Sequence, residues 1–187
     1  MLSNGTFTTV YPSDSKQQMP SNISLNDFCN NAKFTENLKI DRDPLFCGRN
    51  FEFLKSDKRK GIDLTYDEPK RRNQNAPNDV YIKELSKRTH NIMKSTNTPN
   101  RLWDYCLVHQ ANIIQFLPQG KLQGRTSMEH VTSKTSDISK YCDFDFYDLV
   151  WYHPGLHPNF NDKNRTLGRC LGVYHRIRSD MCYCILT

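Results

Sequence analysis

The sequence predicts an α/β layer fold followed by a small β unit, and two observations carry that prediction. Strand-like and helix-like segments alternate from residue 5 to about residue 120, an order that stacks helices on a sheet. Beyond Gly120 and Gly124 the helical pattern stops, and "FDFYDLVWY" and "LGVYH…CYCILT" both read as strands. At 187 residues the chain suits one domain, or one domain with a small appendage. The expected division is residues 1–120 for the α/β part, 121–152 for a connector and 153–187 for the β unit, which reads as cut in mid-strand at Thr187.

The elements follow in order. "GTFTTVYP" (Gly5 to Pro12) is β-branched and aromatic and stops at proline, as a strand does. A polar linker leads to "SLNDFCNNA", a short amphipathic segment with Ser24 at its cap position. "LKID" (Leu38 to Asp41) reads as a buried strand ending in an acid, "NFEFLKSDKRKG" as a helix closed by Gly61, and "IDLTY" (Ile62 to Tyr66) as a strand. From about Asp79, Ile82, Leu85, Ile92 and Met93 share one helical face with Thr89 between them, while Lys83, Lys87, Arg88 and Lys94 form a basic outer surface. A second helix is expected from Thr98 as cap and Pro99 in the first turn, with Leu102, Trp103, Cys106, Leu107, Ala111, Ile114 and Leu117 as core.

Hydrophobic residues make up 36% of the chain, which implies a modest core with long polar connections. The net charge is +6 and the sequence pI about 8.9, favouring an anionic partner. The excess is local: Lys55 to Lys94 holds eleven Lys/Arg against six Asp/Glu. Seven cysteines, at 29, 47, 106, 142, 170, 182 and 184, fit neither a disulfide framework nor a zinc knuckle. They read as reduced thiols of an intracellular protein, nuclear or cytoplasmic and not secreted, so the sequons at Asn4, Asn22 and Asn164 are chance matches. No apolar run is long enough to span a membrane.

"YDEPKRRNQNAPND" (Tyr66 to Asp79) is the basic stretch that bears on chemistry. By itself it is either a solvated turn with an asparagine cap or an active-site loop that presents a carboxylate to nucleic acid. Pro77 is tolerated only in a first helical turn, so Asp79 lies near the positive end of the helix that follows. Asp41 ends a strand and Asp79 opens a helix. Carboxylates so placed can converge on Mg²⁺ that is shared with substrate phosphates.

The stretches "LKIDRDPLFCGRNFEFLKSDKRKGIDLTYDEPKRRNQNAPND", "NTPNRLWDYCLVHQANI", "GRTSMEHVTSKTSDISKYCDFDFYDLVWY" and "LGRCLGVYHRIRSDMCYCILT" occur in one consistent order over nearly the whole chain. Together they resemble the integrase region of Ty1/copia-type retrotransposon polyproteins. The resemblance implies an RNase H-like integrase core carrying three acids, of which Asp41 and Asp79 match the second and third. It implies metal-dependent DNA strand transfer with Mg²⁺ or Mn²⁺ held by Asp41 and Asp79. Lys70, Arg71, Arg72, Asn73, Gln74 and Asn75 of the loop, with Lys83 and Lys87 of the helix, would then lie on DNA, the cations against backbone phosphate. It also implies self-association, as in integrases, and no membrane partner.

The sequence departs from that pattern in several places. Asp79 stands where the family has glutamate, shortening the reach by roughly 1.5 Å, and a misplacement of about 1 Å can lower a rate about a hundredfold. Only "MLSN" precedes "GTFTTVYP", where the strand with the first acid is expected. Cys170 and Cys184 replace tryptophans, and Arg178 replaces a turn glycine. The expectation is a truncated, drifting copy whose strand-transfer activity is weak or lost. Two other readings stand beside it: a nucleic-acid-binding module without catalysis, and an element remnant without function.

Other residues carry weaker signals. His153 and His157 in "HPGLHP" have a metal-like interval but no helix to align them. Trp103 and Trp151 are expected in the core rather than as base-stacking platforms. Cys106 and His109 are helix neighbours, with no third group to orient them for nucleophilic catalysis.

Overall fold

The computed structural model describes residues 2–3, 8–9, 37–40, 63–66, 76–135, 137–153, 165–173 and 182–187. The segments expected at Ser24–Ala32 and Asn50–Gly61 lie outside them. The chain forms two compact units, residues 1–84 with 115–135 and residues 85–114 with 136–187.

The first unit contains two strand pairs. β1 (Leu2–Ser3) and β2 (Thr8–Thr9) are antiparallel, so only the centre of the expected Gly5–Pro12 strand is described as one. β3 (Asn37–Ile40) and β4 (Asp63–Tyr66) pair in parallel, from Asn37 opposite Asp63 to Ile40 opposite Tyr66. They overlap the strands read from the sequence, with β3 one residue earlier, so that it ends at Ile40 before Asp41, and β4 starting one residue later.

Helix α1 (Ala76–Ser95) spans 20 residues, about 30 Å at 1.5 Å per residue. Pro77 occupies its first turn, where a missing N–H removes no helical bond. Asp79 in the first turn and Lys94 in the last complement the helix dipole. Leu85 and Thr89 are buried, and Ile92 and Met93 pack against the core. Ile82 differs from expectation: it is 46% exposed, whereas Leu85, three residues on, is 3% exposed, so the buried stripe of α1 starts at Leu85.

Thr98 also differs from its expected role. Instead of opening the second helix, it closes the first. Its N–H donates to the carbonyl of Met93 at 3.0 Å, with Asn97 left-handed at φ 52°, the arrangement that satisfies a helix's last carbonyls. Its hydroxyl is 2.6 Å from that of Thr96. The chain then makes a 3₁₀ turn, Asn100–Leu102, with no side-chain cap, before α2 (Trp103–Ile114). α2 ends before Leu117, which is half-buried in the turn beyond it.

After α2, Pro118 and Thr126 form a bridge around a 3₁₀ turn at Gly120–Leu122. α3 (Ser127–Thr132) opens with a capping box: Glu129 N–H donates to Thr126 Oγ1, and Thr126 N–H to Glu129 Oε2, both at 3.0 Å.

The second unit ends in an antiparallel sheet, ordered β5 (Leu149–Tyr152), β6 (Thr166–Val173), β7 (Tyr183–Leu186). A small β unit was expected, but its first strand, β5, lies within the stretch read as a connector. Between Cys170 and Val173 the register of β6 on β7 shifts, and Gly172 takes φ +102°. The core cluster joins Leu102, Cys106, Phe146 and Leu171, flanked by Ile92, Met93, Tyr147, Cys184 and Leu186. Burying such a Leu or Phe side chain contributes about 1.5–3 kcal/mol.

The two tryptophans are not in that core. Trp103 is 56% exposed and Trp151 67% exposed. Along β5 the strand alternation turns Val150 inward and Leu149 and Trp151 outward, and in α2 full burial starts only at Cys106.

Candidate functional site

The described part of the candidate site is the face of α1 that begins at Asp79. Asp79, Lys83 and Lys87 are all exposed, and their four-residue spacing stacks them on one side of the helix, about 6 Å apart along its axis. His90 and Lys94, also exposed, extend the row at spacings of three and four. The sequence reading missed His90, although its spacing from Lys87 was the available signal. The row presents one carboxylate at the positive end of the helix, followed by groups suited to phosphate oxygens.

A hydrogen-bond cluster holds the first turns of α1, and the sequence carried no pattern that revealed it. Gln119 Nε2 donates to Tyr81 Oη at 2.7 Å and to Ser127 Oγ at 2.6 Å, using both of its hydrogens. Ser127 is fully buried, and the backbone of Gln119 is itself tied to Arg125 at 3.0 Å. The turn after α2 is thereby fastened to α1 two residues beyond Asp79.

Asp41, Lys70, Arg71, Arg72, Asn73, Gln74 and Asn75 lie outside the described residues. Ile40, the residue before Asp41, ends β3 opposite Tyr66, the last residue of β4. Both strands therefore release the chain at the same end of their pair, the end where open parallel sheets carry their ligands. Among the described residues, no group of three or more His, Cys, Asp or Glu side chains is arranged to hold a metal ion. Asp79 contributes one exposed carboxylate, and a metal there would need further ligands from the substrate and from residues such as Asp41.

The buried thiols carry no sign of activation. Burial pushes the Cys106 thiol up to about 11, and it donates weakly to the carbonyl of Thr89 at 3.8 Å. Cys170 and Cys184 are also raised, in both cases chiefly by burial. A reactive cysteine needs the opposite shift. Tyr183 rises to about 12, through desolvation and then through its 2.7 Å hydrogen bond to Asp143. His153 is half-buried, and His157 lies outside the described residues.

Among solved structures, the chain is similar to the catalytic core domain of BIV integrase, with a TM-score of 0.54 and 15% identity over 70% of this chain and 80% of that one. It is similar to a chain of the simian T-cell lymphotropic virus intasome in complex with PP2A regulatory subunit B56 gamma, with a TM-score of 0.54 and 14% identity. That match covers 85% of this chain and spans 56% of the viral complex's chain. No family model and no curated protein matches the sequence. The fold is that of an integrase catalytic core, the RNase H-like α/β fold, with a small antiparallel sheet.

Proposed function

We propose that the chain is integrase-derived, of the Ty1/copia type, and that its ancestral activity is metal-dependent DNA strand transfer, weak or lost here. The observation that carries this reading is the meeting of the integrase-core fold with an acid in the first turn of α1. Asp41 and Asp79 would hold Mg²⁺ or Mn²⁺, which when bound polarises the target phosphodiester and the attacking hydroxyl. Lys70, Arg71, Arg72, Lys83 and Lys87 neutralise backbone phosphate and set the position of the strand, while Asn73, Gln74 and Asn75 lie beside it. Asp79 is shorter than the glutamate of the family by roughly 1.5 Å, which lowers activity by moving its carboxylate away from a shared metal. Self-association and DNA are the expected partners.

The test is a Mg²⁺ or Mn²⁺ titration of the purified chain by calorimetry, with Asp41→Asn and Asp79→Glu alongside. Saturable binding that Asp41→Asn abolishes and Asp79→Glu tightens supports the reading. Binding indifferent to both variants refutes it.

A second reading, DNA binding without catalysis, is favoured by the basic row on α1. Lys83, Lys87, His90 and Lys94 make a phosphate-binding face that requires no metal. Salt-sensitive duplex binding with no metal binding is its signature.

A further inference from the structure

Among the described residues, one face of the β5–β6 pair is exposed and apolar. Trp151 pairs with Leu167 across the strands, and Leu149 precedes it by one alternation on the same face. All three are open to solvent, Trp151 at 67%, Leu149 at 56% and Leu167 at 44%. A cation stands at each end of this short row. Arg169 pairs with Leu149, and Arg165, exposed, comes two residues before Leu167.

The two arginines differ in availability. Arg169 Nη1 donates to the carbonyl of Tyr147 at 2.9 Å, and its guanidinium lies 4.7 Å from the centroid of the Tyr147 ring. It is engaged in holding the turn before β5. The exposed acids of that turn, Asp143, Asp145 and Asp148, repel phosphate at the Leu149 end. Arg165 at the other end remains open to an anion.

We infer that Trp151 is a stacking platform for an unpaired nucleobase, with the strand's phosphate directed toward Arg165. The size of the patch selects this occupant over a protein. Trp151, 67% exposed, offers about 170 Å² of a side chain that buries at most about 250 Å², and Leu149 and Leu167 beside it do not raise the row to the about 800 Å² that a stable protein interface needs from each partner. One aromatic face is enough for one base, and stacking accepts any base because each has a π-face. The net charge of +6 favours an anionic chain over a neutral one. This site is separate from α1 and is independent of any metal chemistry proposed for it.

The chain has two tryptophans, Trp103 and Trp151, so a Trp103→Phe background makes the emission report Trp151 alone. Titration with a short oligothymidylate, in chelator to exclude divalent metal, is expected to quench that emission saturably. The duplex of the same length should quench it far less. With a labelled oligothymidylate followed by anisotropy, Trp151→Ala is expected to weaken binding by about 5- to 150-fold, the range that corresponds to one stacked base. Trp151→Phe should retain most of the affinity, because it keeps an aromatic face. Thermal unfolding of the variants should match the parent, since the side chain is exposed. Equal affinity in Trp151→Ala, absence of quenching, or concentration-dependent self-association that disappears in Trp151→Ala would each overturn the inference.

Discussion

Nδ1 of His109 lies 2.6 Å from the place a Cβ on residue 172 would occupy, so β6 passes α2 at that point only as glycine. Gly172 also holds φ +102°, a region that side-chain-bearing residues rarely adopt. Gly172→Ala is therefore expected to cost about 2–6 kcal/mol, from about 1–3 of backbone strain and about 1–3 of overpacking. Urea unfolding measures it. The double variant His109→Ala/Gly172→Ala should recover the overpacking part, and an unchanged midpoint for Gly172→Ala would mean that helix and strand separate at little cost.

Tyr81→Phe removes the acceptor for one hydrogen of Gln119 while leaving the bond to Ser127. The expected loss is about 1 kcal/mol, and it should be local. Amide hydrogen exchange should speed up across residues 115–127 and the first turns of α1, and not in β5–β7. Uniform acceleration in every element would contradict a local role.

Lys83→Ala and Lys87→Ala are exposed changes that should leave stability within about 0.5 kcal/mol of the parent. If both lysines meet phosphate, each lowers DNA affinity, and each lowers the slope of log affinity against log salt by about 0.9. Lys94→Ala should follow suit if the row is used along its full length. Binding isotherms at several salt concentrations read both quantities, and unaltered slopes would remove α1 from the interface.

Stability should fall at alkaline pH through Cys106. The unfolded chain releases this proton near the ordinary value of 9.0, but the folded chain holds it to about 11. Below pH 9 both states are protonated and the contribution is complete; from 9 to 11 the unfolded state gains, and stability declines. Denaturation measured across that interval should show the decline, and Cys106→Ala should flatten part of it.

Legibility in the sequence varied with the physics behind each element. β3, β4 and α1 were readable because apolar alternation, helical period and Pro77 are local signals. The end of α1 was misread because Thr98 could cap a helix on either side, and its N–H is claimed by Met93 through the left-handed Asn97. Trp103 and Trp151 were misplaced because burial depends on which face a neighbouring element covers, and hydrophobicity alone does not say that. In the candidate site, helical period placed Lys83 and Lys87 on an outer surface and Pro77 placed Asp79 in the first turn, while their joint assignment to a site came from the resemblance and not from spacing. The Gln119 bonds to Tyr81 and Ser127 were not readable, since they join side chains 38 and 8 residues apart without any repeating pattern.

The parallel pairing of β3 with β4 sets a folding order. Ile40 and Tyr66 are 26 positions apart in the chain, and a parallel pair cannot close through a tight turn. The intervening chain must be gathered before any ladder bond forms, whereas α1 and the capping box of α3 need only near neighbours. Helices should thus appear early after dilution from denaturant and the β3–β4 pair late. If the acid that follows Ile40 binds metal as proposed, metal binding during refolding would lag the return of helical signal.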